Sequence, residues 1–166
     1  MRQLVGSLLA AAQLGVTTSP AAADATFAVK SLLPETALKA AQSALAACRN
    51  SGYQVAVAVV DRAGLTQVVL RDRYAGPHTL DFSQNKAWTA VTFKTSTAEL
   101  EKLTRPAQSM SGLRQVPRFA AIGGGMTIEA GGSLLGAIGV SGAPSGDADA
   151  ACALAGIKAI ADSLEF

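Results

Sequence analysis

Apolar and polar positions along this chain change period several times, and each change marks an element. Leu38, Ala41, Leu45 and Cys48 recur at helical spacing, with Lys39, Gln42 and Arg49 off that stripe. The pattern predicts a helix from Pro34 to about Asn50, ended by Ser51-Gly52. Its stripe is mostly small, so the helix is expected to lie close to its support. Val55 to Val60 is a β-branched apolar run with both faces apolar, as in a strand covered on both sides. Asp61-Arg62-Ala63-Gly64 turns the chain, and Leu65 to Arg71 returns as the second strand of a hairpin.

After Gly76-Pro77, Thr79 to Thr95 reads as a helix with Leu80, Ala87, Trp88 and Val91 on one face. Thr97 is placed to cap a short helix through Leu103, which Pro106 stops. Residues 105–118 are polar and proline-punctuated, a long excursion of the kind that is often functional. Phe119 to Ile122 reads as a short strand broken by Gly123-Gly124-Gly125. Met126 to Glu129 and Leu134 to Val140 pair across Ala130-Gly131-Gly132 as a second hairpin. A closing helix from about Asp147 to Leu164 carries Leu154, Ile157, Ile160 and Leu164 as its buried stripe. This order lacks strict β-α-β alternation. It predicts an α+β fold: a mostly antiparallel sheet of about five strands with helices packed on it.

The first 23 residues change the picture of the chain's ends. Arg2, an apolar stretch from Leu4 to Val16, and Ala21-Ala22-Ala23 follow the order of a secretory signal peptide. The expectation is cleavage near residue 23, leaving residues 24–166 as a single domain in the periplasm or secreted. No other stretch approaches 18 apolar residues, so no membrane association is expected after cleavage. The formal charge of +2 is small and no basic block occurs, which argues against nucleic acid as a partner. Cys48 and Cys152 both fall in helical segments. They are expected to be two small buried thiols, with a disulfide as the alternative in an exported chain.

Candidate chemistry is sparse. Gly136 and Gly139 lie inside a predicted strand, where glycine is tolerated best if a backbone or a flat ligand comes close. Ser141 to Gly146 then leads to Asp147, read as the cap of the last helix, whose first turn is a natural seat for a carboxylate or phosphate. The plainer reading is a tight strand-to-helix joint. His78 is the only histidine. It can serve as a single axial ligand to a haem, or stand as an ordinary exposed side chain. Asp81 is three residues on. Lys86 can pair with an acidic ligand group or with a nearby carboxylate. No G-x-S-x-G elbow, Walker sequence or G-x-G-x-x-G occurs, so no catalytic residue is assigned.

Several separated blocks add a resemblance: VAVAVVDRAG, GPHTLDFSQNKAWTAVTF with TSTAEL, AAIGGGMTIEAGG, and LLGAIGVSGAPSGDADAACALAGIKAI. Together they resemble the GlcG/HbpS family, which includes the C-terminal domain of PduO-type proteins, and most of all its secreted haem-binding branch. The resemblance runs from about Pro34 to Leu164. It implies a five-stranded, profilin-like α+β layout, a homo-oligomer, and haem as the ligand. Phe119 stands where that branch carries a threonine assigned as an iron ligand. Its acidic E-x-x-E pair becomes Asp81 and Gln84 here. The expected site therefore has His78 as the axial metal ligand beside Asp81, and haem against Phe119, Gly124 and Gly139. Its propionates would point toward Arg118, Lys86, or Ser141 and Asp147 at the start of the last helix. The alternatives are an enzyme that degrades haem oxidatively or acts on a small organic acid, and a module binding a corrinoid or another metabolite.

Overall fold

A computed structural model describes residues 25–164. The proposed signal peptide lies outside the described residues. Residues 25–33, without regular secondary structure, lead into α1, Pro34–Asn50, whose proline occupies the first turn. Strands β1 (Ala56–Asp61) and β2 (Thr66–Arg71) form the first hairpin. Helices α2 (His78–Phe93) and α3 (Thr97–Leu103) follow, and then a short 3-10 turn at Ser111–Gln115. Strands β3 (Gly125–Ala130) and β4 (Ser133–Ser141) form the second hairpin, and α4 (Gly146–Lys158) closes the chain before a last 3-10 turn.

Among the described residues the sheet has four strands in the order β2-β1-β4-β3, and every neighbouring pair is antiparallel. This corrects the five-strand expectation. Phe119–Ile122 stays outside the ladder because its backbone bonds elsewhere: Phe119 N donates to Val116 O, and Ala120 N donates to the Thr89 hydroxyl at 2.9 Å.

The two central strands are covered on both faces, which explains the unbroken apolar run of β1. Val57 and Val59 pack with Ile138, Val140 and the small face of α1. Val60, on the opposite face, packs with Ala87, Ala90 and Val91 of α2. The buried stripe of α1 is Ala37, Ala40, Ala41, Ala44, Leu45 and Cys48, with Leu38 exposed. In α4 the buried residues include Cys152, Ala153 and Gly156, and Leu154 is exposed. Small residues therefore set this contact. A Cβ on Gly156 would stand 2.6 Å from the Ala40 carbonyl oxygen.

Cys48 and Cys152 are joined in a disulfide with Cα atoms 5.5 Å apart, tying α1 to α4. This overturns the expectation of free thiols. The two elements become neighbours only by packing on the same face of the sheet, 104 residues apart in sequence.

The glycines of β4 have separate explanations. Gly139 pairs with Ala58 on one side and Gly125 on the other, giving a low row across the sheet under α2. A Cβ at Gly139 would overlap the Ser83 carbonyl, and one at Gly125 would overlap the Lys86 carbonyl. The close approach at Gly139 is therefore made by the backbone of α2. Gly136 points to the other face, toward Leu32.

Candidate functional site

Helix α2 carries or contacts most of the candidate residues. Ser83, Ala87 and Ala90 are buried on its sheet side. At 100° per residue, His78, Phe82, Thr89 and Phe93 fall within about 60° of one another on one flank, where Thr89 is buried, while Trp88 lies about 80–140° from them toward the other flank. His78 is exposed at the first position. Gly76 makes room for its ring, since a Cβ there would stand 2.7 Å from Cε1 and 2.9 Å from Nδ1. The imidazole lies edge-on to Phe82, with centroids 6.3 Å apart, and Phe82 is 45% exposed. Asp81 is exposed on the adjoining flank. Gln84, the other member of the altered acidic pair, has its Oε1 accepting from Thr66 Oγ1 and its amide nitrogen donating to Leu80 O.

Arg118 and Phe119 lie further along the same helix. The Arg118 guanidinium sits over the Trp88 ring, 5.0 Å from its centroid. Phe119 meets Phe93 edge-on at 5.2 Å. Between them Thr89 Oγ1 donates to Arg118 O at 3.3 Å and accepts from Ala120 N. The chain thus crosses over α2 at Thr89, with a cation on one flank and a ring on the other. From His78 to Trp88 is ten residues, about 15 Å along the axis. The expected histidine ligand and the Arg118/Phe119 pair therefore do not converge on one point.

Lys86 is elsewhere altogether. It is 1% exposed, and its Nζ donates to Asp149 Oδ2 at 2.7 Å and to Val140 O at 2.9 Å. Asp149 is 3% exposed and also accepts from Ala143 N at 2.9 Å. Burial pushes the Lys86 ammonium down and the Asp149 carboxyl up from their ordinary values, and each shift is opposed by the charge of the partner. The pair ties α2, β4 and α4 together, so Lys86 is not free to meet a propionate. Gly124 belongs to the same interior: a Cβ there would press on Val140 O at 2.6 Å and approach Lys86 Nζ at 3.0 Å. Ser141 and Gly139 are buried as well.

The start of α4 differs from the expected anion seat. Ser145, not Asp147, is the cap, accepting from Ala148 N at 3.1 Å. Likewise Ser96, not Thr97, caps α3, while the Thr97 hydroxyl accepts from Gly125 N. A cavity of about 320 Å³ beside Ser145, Gly146 and Asp147 is bordered by Glu101, Lys102 and Arg105. The Asp147 and Glu101 carboxylates on its wall are balanced by Lys102 and Arg105, so the lining carries no net charge.

Among the described residues no group of three or more His, Cys, Asp or Glu side chains comes together as a metal centre. A haem iron needs only an axial donor, and an exposed imidazole such as that of His78, beside an exposed phenyl ring, is a donor of that kind. Phe119 offers no lone pair. No helix among the described residues is long and apolar enough to cross a membrane.

Residues 32–158 match the family described as "Haem degrading protein HbpS-like". The chain belongs to that family. Streptomyces reticuli HbpS, in a doubly substituted form, has a similar structure, with TM-score 0.77 and 38% identity over 87% of this chain and 97% of that one. The PduOC:heme complex matches with TM-score 0.74 and 30% identity, covering 78% of this chain and 95% of that one. The corrinoid adenosyltransferase PduO of Salmonella typhimurium is 34% identical over 90 residues. These are 53% of this chain and 27% of that enzyme, so the HbpS-like chain spans only a fraction of it.

Sequence reasoning missed Asp149 as the partner of Lys86, Thr89 as the clamp under residues 118–120, and the Arg118–Trp88 contact. A lysine on the buried stripe of α2 was the available signal for the first. The Arg49–Asp72 ion pair, with two bonds of 2.7 and 2.9 Å, was also unforeseen.

Proposed function

We propose that this HbpS-like chain is an exported haem-binding protein in which His78 supplies an axial ligand from the outward side of α2. The observation that carries the reading is the PduOC:heme complex, a haem-bound structure with the same fold. The local chemistry supports it. An imidazole nitrogen is the side-chain donor that haem iron most often takes. Here the ring is exposed, held by the Gly76 turn and flanked by the apolar face of Phe82. One chain covers only one face of a planar ring at such a surface, so a second copy of the chain is the natural cover for the other. Arg118, also on the outer side of α2, is the cation nearest in kind to what a propionate needs. Export is supported by the order of charge, apolar core and small residues at the N-terminus, and by the Cys48–Cys152 bond, since disulfides persist in oxidising compartments.

The test is hemin titration of the purified mature protein, followed in the visible spectrum. A shifted, saturable Soret band is expected, and His78→Ala is expected to change both its position and the affinity by at least tenfold. An unchanged band and affinity in His78→Ala would remove the ligand assignment. Failure of the native protein to bind would remove the haem reading itself. The family description favours a second reading, oxidative haem degradation. With peroxide present, that reading requires product beyond one equivalent per chain. The PduO relative favours corrinoid as the ligand. Stabilisation by cobalamin but not by hemin, following RT ln(1 + [L]/Kd), would select it.

A further inference from the structure

Residues 105–119 begin and end with the same four-residue device. Arg105-Pro106-Ala107-Gln108 closes with Gln108 N donating to Arg105 O at 3.0 Å. Val116-Pro117-Arg118-Phe119 closes with Phe119 N donating to Val116 O at 3.1 Å. Ala107 and Arg118 both have φ 70°. Proline at the second position, positive φ at the third and a bond from the fourth amide to the first carbonyl define a type II turn. Its third position favours glycine, and neither turn has one. Each hinge is therefore held in a conformation its own residue disfavours.

Nothing between the hinges anchors the segment in the core, since no residue from 105 to 118 is buried. Arg114 tethers its middle to the end of α3, through Nε to Thr104 O at 2.7 Å and Nη2 to Glu101 O at 3.2 Å. At the far end the chain is held on α2 by the Thr89 hydroxyl, by Arg118 on Trp88 and by Phe119 on Phe93. Releasing those contacts frees the Trp88 indole and the Arg118 guanidinium on one flank of α2 and the Phe93 ring on the other.

We propose that residues 107–118 form a hinged strap, latched on Thr89, whose lifting admits a planar aromatic anion to the outer face of α2. The indole of Trp88 would meet the flat body of the guest. Arg118, leaving the indole, would meet its carboxylate. This rests on the haem reading and adds to it a gate that is distinct from the His78 ligand.

The experiment measures hemin association by stopped flow, alongside hydrogen exchange at the Ala120 amide, whose acceptor is the latch itself. Ala107→Gly removes the penalty of the closed hinge at an exposed site. It is expected to slow both Ala120 exchange and hemin association by roughly fivefold or more. Thr89→Val removes the latch without changing charge and is expected to speed both by roughly threefold. Parallel shifts of the two rates in opposite directions for the two variants support the gate. Hemin that binds native protein and both variants at one rate, whatever Ala120 does, overturns the strap and leaves the haem reading intact. No hemin binding to the native protein overturns both.

Discussion

Replacing Lys86 by methionine distinguishes a lysine that serves a ligand from one that serves the fold. In the native protein the ammonium meets Asp149 Oδ2 at 2.7 Å and Val140 O at 2.9 Å, with both side chains almost wholly shielded from water. Methionine keeps most of the aliphatic stem and removes the charge. Asp149 then keeps its bond from Ala143 N but loses its counter-charge in a buried place. Breaking one partner of a buried pair costs about 3–5 kcal/mol. Against a total stability of about 5–15 kcal/mol for a domain, that is a large share. Urea denaturation of Lys86→Met should show this loss. The double variant Lys86→Met/Asp149→Asn should recover much of it, because no unpaired charge remains. A double-mutant cycle gives the coupling directly, and about 0.5–3 kcal/mol is expected for contacting residues. Hemin affinity of the folded Lys86→Met protein should be unchanged, since no surface group has been altered. The reasoning is refuted if stability stays within about 0.5 kcal/mol of native, the range of an ordinary surface substitution. It is refuted equally if hemin binding weakens while stability holds.

Two further outcomes follow from other contacts. The Cys48–Cys152 bond closes a loop spanning a sequence separation of 104, so its removal in Cys48→Ala/Cys152→Ala should cost about 4.7 kcal/mol by the chain-entropy relation. Thermal unfolding with and without reductant checks it, and two free thiols in denatured, unreduced native protein would show that no bond exists to remove. The Arg49 guanidinium, hydrogen-bonded to Asp72, holds that carboxyl below its ordinary value, with burial opposing. A depressed folded value contributes stability that is present above the unfolded carboxylate value of about 4 and lost as pH falls through the folded one. Asp72→Asn should therefore flatten the acid limb of the stability profile below about pH 4, and an unchanged limb would argue that the ion pair carries no linkage.

Local order in the sequence determined much of the fold. Pro34 at the start and Ser51-Gly52 at the end bounded α1, and short apolar runs separated by glycine-bearing turns marked both hairpins, because turn and capping preferences act over a few residues. The small stripe of α1 was legible as a close-packed face, although its register fell on Ala37, Ala40 and Ala44 and left Leu38 outside. The family too was legible, from blocks that keep their order. What touches what across long separations was not. Whether Gly139 faced a ligand or a helix depended on where α2 lay, and the Ser83 carbonyl occupies that space. Lys86 found Asp149 across 63 residues, and Cys48 found Cys152 across 104, only once helices packed on both faces of the sheet. Phe119–Ile122 has the composition of a strand, yet the Thr89 hydroxyl took the Ala120 amide and drew that stretch over α2, away from the ladder. Propensity acts within a turn or two of the chain. Shielding from water, and the partners a buried charge or amide must then find, exist only after distant segments have met.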